Sequence, residues 1–112
     1  MRHLIVLVLM LGLLSARIAA AQSAAQVEHG QKVYADQKCG ICHAVAGKGN
    51  AKGALDTVGS KLSVEEIRQW IVDAPGMTAK TKAARKPFMK AYTALPKQDL
   101  DALVAYMQSL KK

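Results

Sequence analysis

The residues best suited to chemistry stand together at Cys39-Gly40-Ile41-Cys42-His43. Two thiols three positions apart share one face of a helical turn, so both can reach groups on one edge of a flat ligand. C-x-x-C followed directly by His is the attachment signature of a covalent haem c. The thiols would take the two vinyl groups, and the adjacent imidazole would project over the iron. That makes Cys39, Cys42 and His43 cofactor-binding residues, with His43 an iron ligand. Other chemistries use parts of the same pattern. A thioredoxin-like dithiol needs alternating strands and helices, which the chain does not suggest. Zinc needs about four ligands, and these residues supply three, with His29 the candidate fourth. A structural disulfide across so short a loop would be strained and would stabilise little.

The rest of the chain limits what can surround this motif. Its 112 residues suffice for one domain, and its two cysteines exclude a multi-disulfide scaffold and a four-cysteine zinc site. Only five residues are aromatic (Tyr34, Trp70, Phe88, Tyr92 and Tyr106), a thin supply for a small core that a cofactor could help to fill. The start reads as a secretory signal over residues 1–21. Arg2 and His3 precede the apolar run Leu4 to Leu14, and Ala19-Ala20-Ala21 offers small residues for cleavage before Gln22. The run is shorter than the roughly 17–25 residues needed to span a bilayer, and Arg17 blocks its extension. Export to the periplasm, or to another extracytoplasmic space, is the expectation, with residues 22–112 as the mature domain and no lasting membrane insertion. Without Arg2 and Arg17, 14 basic residues face 8 acidic ones, a formal charge of +6. In an exported chain this favours acidic protein partners or anionic surfaces over nucleic acid.

Three helices must position the motif. The first is expected over about 24–36, with Val27, Gly30 and Tyr34 on one face. The second starts at Ser63, where Ser63 and Glu66 form a capping box, Leu62 and Ile67 stand at the staple positions, and Ile67, Trp70 and Ile71 make the apolar face. Pro75-Gly76 is read as its end. The third runs over about 96–110, with Leu100, Leu103, Val104, Met107 and Leu110 as its stripe and Asp99 and Asp101 in its first turn. No strand signal is evident. Residues 47–59 and 76–95 read as two long irregular connections, of the kind that wrap a ligand. The second carries Lys80, Lys82, Arg85, Lys86 and Lys90 without an acidic residue. The class is all-α.

In this order the elements resemble the small class I cytochromes c across residues 24–112. The resemblance rests on Gly30 and Tyr34, the Cys39 to His43 motif, Leu55-x-x-Val58-Gly59, the helix bearing Trp70, a methionine loop, and a last helix with Leu103 and Tyr106. It implies three to four helices wrapped around one haem c with its iron. The glycine of the first helix would allow close approach to Leu103 and Tyr106 of the last. Of the mature methionines, Met107 belongs to the core stripe, whereas Met77 and Met89 lie in a connection that could reach the iron. The resemblance favours Met89, in Pro87-Phe88-Met89-Lys90-Ala91-Tyr92, as the second axial ligand. It also implies that Trp70 reaches a haem propionate, where packing on the helix face is the competing role. The chain departs from the family pattern at two places. Lys90 stands where proline usually follows the methionine. Lys52-Gly53 replaces a Gly-Pro whose proline carbonyl accepts a hydrogen bond from the proximal histidine; Gly53 still presents a carbonyl.

The implied function is a soluble, monomeric, exported electron carrier with His/Met ligation, docking larger acidic redox proteins through its basic loop. With no base paired to a nucleophile and no second metal cluster, it is not expected to be an enzyme. Two alternatives stand beside it: a ligand-sensing haem protein with an open or labile sixth site, and a haem subunit of a periplasmic oxidoreductase complex.

Overall fold

The first and last helices meet at Gly30, a residue without a side chain. In the computed structural model, which describes residues 23–112, α1 occupies residues 23–36 and α5 spans Lys97–Ser109. The signal reading of residues 1–21 lies outside the described residues. A β-carbon on Gly30 would stand 2.1 Å from the Ala102 carbonyl oxygen and 2.6 Å from Tyr106 Cβ. Glycine therefore sets the closeness of this approach, and the nearest atoms belong to Ala102 and to the expected Tyr106. Tyr34, one turn further along α1, meets the Tyr106 ring edge-to-face with centroids 5.7 Å apart. On the solvent side His29 Nε2 meets Asp99 Oδ1 at 2.8 Å.

The expected stripe of α5 is the core. Leu103, Val104 and Met107 are buried, joined by Ala102 and Tyr106, while Leu100 and Leu110 pack at its margin. Across from it lies α3 (Val64–Val72), whose Ile67 and Ile71 complete the cluster with Val33 of α1. The capping box is present: Glu66 N–H donates to Ser63 Oγ at 3.1 Å, and Ser63 N–H to Glu66 Oε1 at 3.2 Å. Asp101 of α5 accepts from Arg68 at 2.9 Å and from Lys97 at 2.6 Å, tying α3 to α5 on the surface.

The connections hold more structure than expected. Residues 76–95 are not one loop, because α4 covers Ala74–Thr81. Pro75-Gly76 does not close a helix; it opens one. Proline fits the first turn, where its missing N–H would have no partner, and the Asp73 side chain accepts from Gly76 N–H at 3.2 Å. The helix stops at Lys82, which adopts the left-handed conformation (φ 56°) without the glycine that usually marks such a cap. Residues 37–63 hold two 3-10 turns (Cys39–Ile41 and Ala51–Gly53), the short α2 (Val58–Lys61), and a two-residue hairpin. In the hairpin, β1 (Ala44–Val45) pairs antiparallel with β2 (Lys48–Gly49), matching Ala44 to Gly49. Its turn residues Ala46 and Gly47 both have positive φ (51° and 77°), as a tight two-residue hairpin turn requires.

Candidate haem site

α1, the Cys39–Ile41 turn, α3, α5 and residues 83–92 enclose a cavity of about 610 Å³. That volume lies within the roughly 300–1,000 Å³ of ordinary cofactor sites. Its walls are largely apolar: Leu55, Val58, Leu62, Ile67, Ile71, Leu103 and Met107. Cys39, Cys42, His43 and Met89 all line it. The four residues singled out from the sequence therefore meet in one space, although Met89 is 46 positions from His43 in the chain.

The attachment turn is held by its own backbone. Cys42 and His43 N–H both donate to the Cys39 carbonyl, at 3.1 and 2.9 Å, which turns both thiols to one side. The thiols are not joined as a disulfide. Burial pushes the Cys39 thiol up, and the neighbouring Cys42 adds to this against the opposing pull of its backbone hydrogen bond and Lys90.

The histidine is oriented from behind. His43 Nδ1–H donates to the Gly53 carbonyl at 3.0 Å. A carbonyl only accepts, so the proton sits on Nδ1 and the lone pair of Nε2 is free for a metal. Burial lowers the His43 pKa, the Gly53 bond opposes that, and the positive Arg85 lowers it further, so the ring is neutral at neutral pH. Gly53 fills the role expected of it.

The two loop methionines separate clearly. Met77 is buried in α4 and does not line the cavity, so the loop position considered for it is corrected. Met89 lies in the irregular segment after α4, where its thioether reaches the cavity wall. Trp70 lines the cavity too. So does Tyr34, whose hydroxyl is buried without a protein partner; burial, aided by Cys39, pushes its pKa up to about 12.

One contact escaped the sequence reading. Arg85 counted there only as one of five basic residues, yet its Nη2 donates to the Cys42 carbonyl at 2.5 Å. The partners are 43 positions apart, and no local periodicity joins them.

Two unpaired thiols on one turn, an imidazole with a free Nε2 and a thioether, all on one apolar cavity, are a donor set suited to a covalently held iron porphyrin. Fold and site together define a small all-α haem protein. The Cytochrome c family model matches residues 27–111, and the chain belongs to the cytochrome c family, with the size of its small single-haem class I members. Its cofactor is therefore haem c with its iron, and its chemistry electron transfer. Cytochrome c oxidase subunit 2 of Alkalihalophilus pseudofirmus is 31% identical over 91 residues, covering 73% of this chain. The match spans 25% of that relative's length. No solved structure gives a significant match. Among the described residues no helix is long and apolar enough to cross a membrane.

Proposed function

We propose that the chain is an exported, soluble single-electron carrier that holds its haem through thioethers from Cys39 and Cys42 and ligates the iron with His43 and Met89. The observation that carries this reading is the pairing of a free His43 Nε2 with the Met89 thioether on one cavity. When bound, the haem would supply one-electron redox chemistry, and a soft neutral thioether holding the iron together with an imidazole would favour the ferrous state. The protein's own residues do the rest. Gly53 fixes the imidazole, and the apolar walls keep water out, which limits the solvent response to the charge change. With His43 and Met89 both holding the iron, no place on it would be left for a substrate.

Partner docking has support at the cavity mouth. Ile41 and Phe88 are exposed (71% and 52%), an unusual state for large apolar residues, and both line the cavity. Around them stand Lys38, Arg85, Lys86 and Lys90, with Lys86 Nζ 3.8 Å from the Phe88 ring centroid. An apolar centre with a cationic rim suits an acidic redox protein, whose association would weaken with salt.

A second reading, a haem domain working within a larger oxidoreductase assembly, is favoured by the likeness to an oxidase subunit. The deciding experiment is the absorption spectrum of the reduced, haem-loaded protein with and without carbon monoxide at neutral pH. An unchanged spectrum fits a six-coordinate carrier. A prompt shift would overturn His43/Met89 ligation. Size-exclusion of the mature protein with its native membranes or extract would then separate a free monomer from an assembled subunit.

A further inference from the structure

Residues 83–96 pass from α4 to α5 without helix or strand, and they carry Met89. Among the described residues, two hydrogen bonds tie positions 84–95 to the rest of the chain. Tyr92 N–H, three positions after Met89, donates to the Ile71 carbonyl at 2.8 Å. Arg85, four positions before it, donates to the Cys42 carbonyl at 2.5 Å. That carbonyl belongs to the residue directly before His43. The guanidinium also lies against Gly53, whose carbonyl holds the His43 ring. A β-carbon at position 53 would stand 2.5 Å from Nη1 and 2.8 Å from Cζ of Arg85, besides 2.2 Å from the Cys42 oxygen. Any side chain there would meet the guanidinium. One side chain thus reaches from the methionine segment to both the attachment turn and the support of the histidine. A guanidinium donating to a carbonyl is a charge-assisted bond, stronger than an ordinary amide contact.

We propose that Arg85 is a positioning residue that latches the Met89 segment onto the turn carrying His43. The proposal rests on Met89 as the second axial ligand. Loss of Arg85 leaves Tyr92 as the single hydrogen-bonded tether, so the thioether should leave the iron more often without the fold being lost.

The test uses the full, haem-loaded ferric protein and follows imidazole binding at the iron by absorption, alongside the long-wavelength sulfur–iron band. Arg85→Ala should speed imidazole binding about tenfold, the effect of losing one hydrogen bond to a charged group. Arg85→Lys, which keeps the charge without the fork, should fall between it and wild type. Lys80→Ala, an exposed cation nearby, should bind at the wild-type rate. A wild-type rate in both Arg85 variants, with the sulfur–iron band present in wild type and absent in Met89→Ala, would overturn the latch and leave Met89 as ligand. A wild type lacking the band, or Met89→Ala retaining it, would instead defeat the ligand reading and the latch with it.

Discussion

Substituting Gly30 by alanine adds one methyl group at the tightest point of the α1–α5 crossing. That β-carbon would stand 2.1 Å from the Ala102 oxygen, where ordinary contact begins at 3.4 Å, so the helices must part by about 1.3 Å. The opposing atom is backbone within α5 and cannot turn aside as a flexible side chain would. A gap of even 0.5–1 Å forfeits roughly a quarter to a half of each dispersion contact across it. The contacts at risk are those of Val33 and Tyr34 with Tyr106 and the rest of the cluster. Overpacking of this kind costs about 3 kcal/mol at the upper end of its usual range, while alanine returns about 1 kcal/mol in helix propensity. The expected net loss is about 2 kcal/mol, or roughly 8–16 °C in thermal midpoint for a domain of this size. Urea unfolding of the haem-loaded protein, followed by far-ultraviolet circular dichroism, measures it. A variant as stable as wild type, with the same denaturant slope, would refute the reasoning. It would mean that the helices separate freely and that Gly30 does not set their distance.

Other expectations are more local. Met89→Ala should remove the sulfur–iron band and lower the potential. Met77→Ala, emptying a buried site in α4, should leave both unchanged but cost about 3 kcal/mol in stability, read by chemical denaturation. Ser63→Ala should cost about 1 kcal/mol by breaking the capping box, seen as a lower thermal midpoint with an unaltered haem spectrum. For Tyr34 the folded pKa of about 12 lies above the ordinary 10.0, so folding favours its protonated form. Its contribution is complete below pH 10 and disappears as pH rises toward 12, so Tyr34→Phe should flatten the alkaline loss of stability over that window. Equal slopes in both proteins would refute this assignment. Backbone amide exchange should be faster over residues 84–91 than at Asn50 and Leu55, whose N–H groups donate to His43 and Ala44.

What was legible in the sequence follows from how far apart the deciding groups lie. The C-x-x-C-H turn and the Ser63–Glu66 cap act within a few residues, so their spacing carries them. The α5 stripe is equally readable, because a helix repeats its buried face at fixed intervals. Met89 required the family resemblance, since nothing in its own neighbours distinguishes it from Met77 until α4 takes Met77 into the core. The misread elements depend on ambiguous punctuation. Pro75-Gly76 serves equally to end one helix or begin the next, and the Asp73 side chain decides it. Lys82 closes α4 in a conformation usually given to glycine, and Ala46 turns the hairpin where asparagine or aspartate would have announced it. Arg85 is beyond such reasoning altogether. Its carbonyl partner belongs to the backbone of Cys42, and backbone acceptors carry no mark in the sequence.

The two sides of the cavity are consequently built on different terms. Behind His43, the chain from Cys39 to Leu55 folds back on itself through closely spaced backbone hydrogen bonds: Asn50 to Gly40 and His43, Gly53 to Asn50, and Leu55 to Ala44. Each is local or nearly so, and the histidine is fixed by the last carbonyl of a 3-10 turn. Met89 has no such frame. It is suspended between Arg85 and Tyr92, one reaching across to the histidine side and the other to α3. Opening of a site begins where fewest bonds must break. With Met89 as the proposed second ligand, its thioether would be released first, while His43 and the attachment turn remain in place. In the proposed carrier both ligands would have to stay bound while an electron passes, so the hold on the methionine side would set how well that closed state is kept. In this chain that hold includes a contact with the opposite side of the cavity, and the rigidity around His43 thereby extends to Met89.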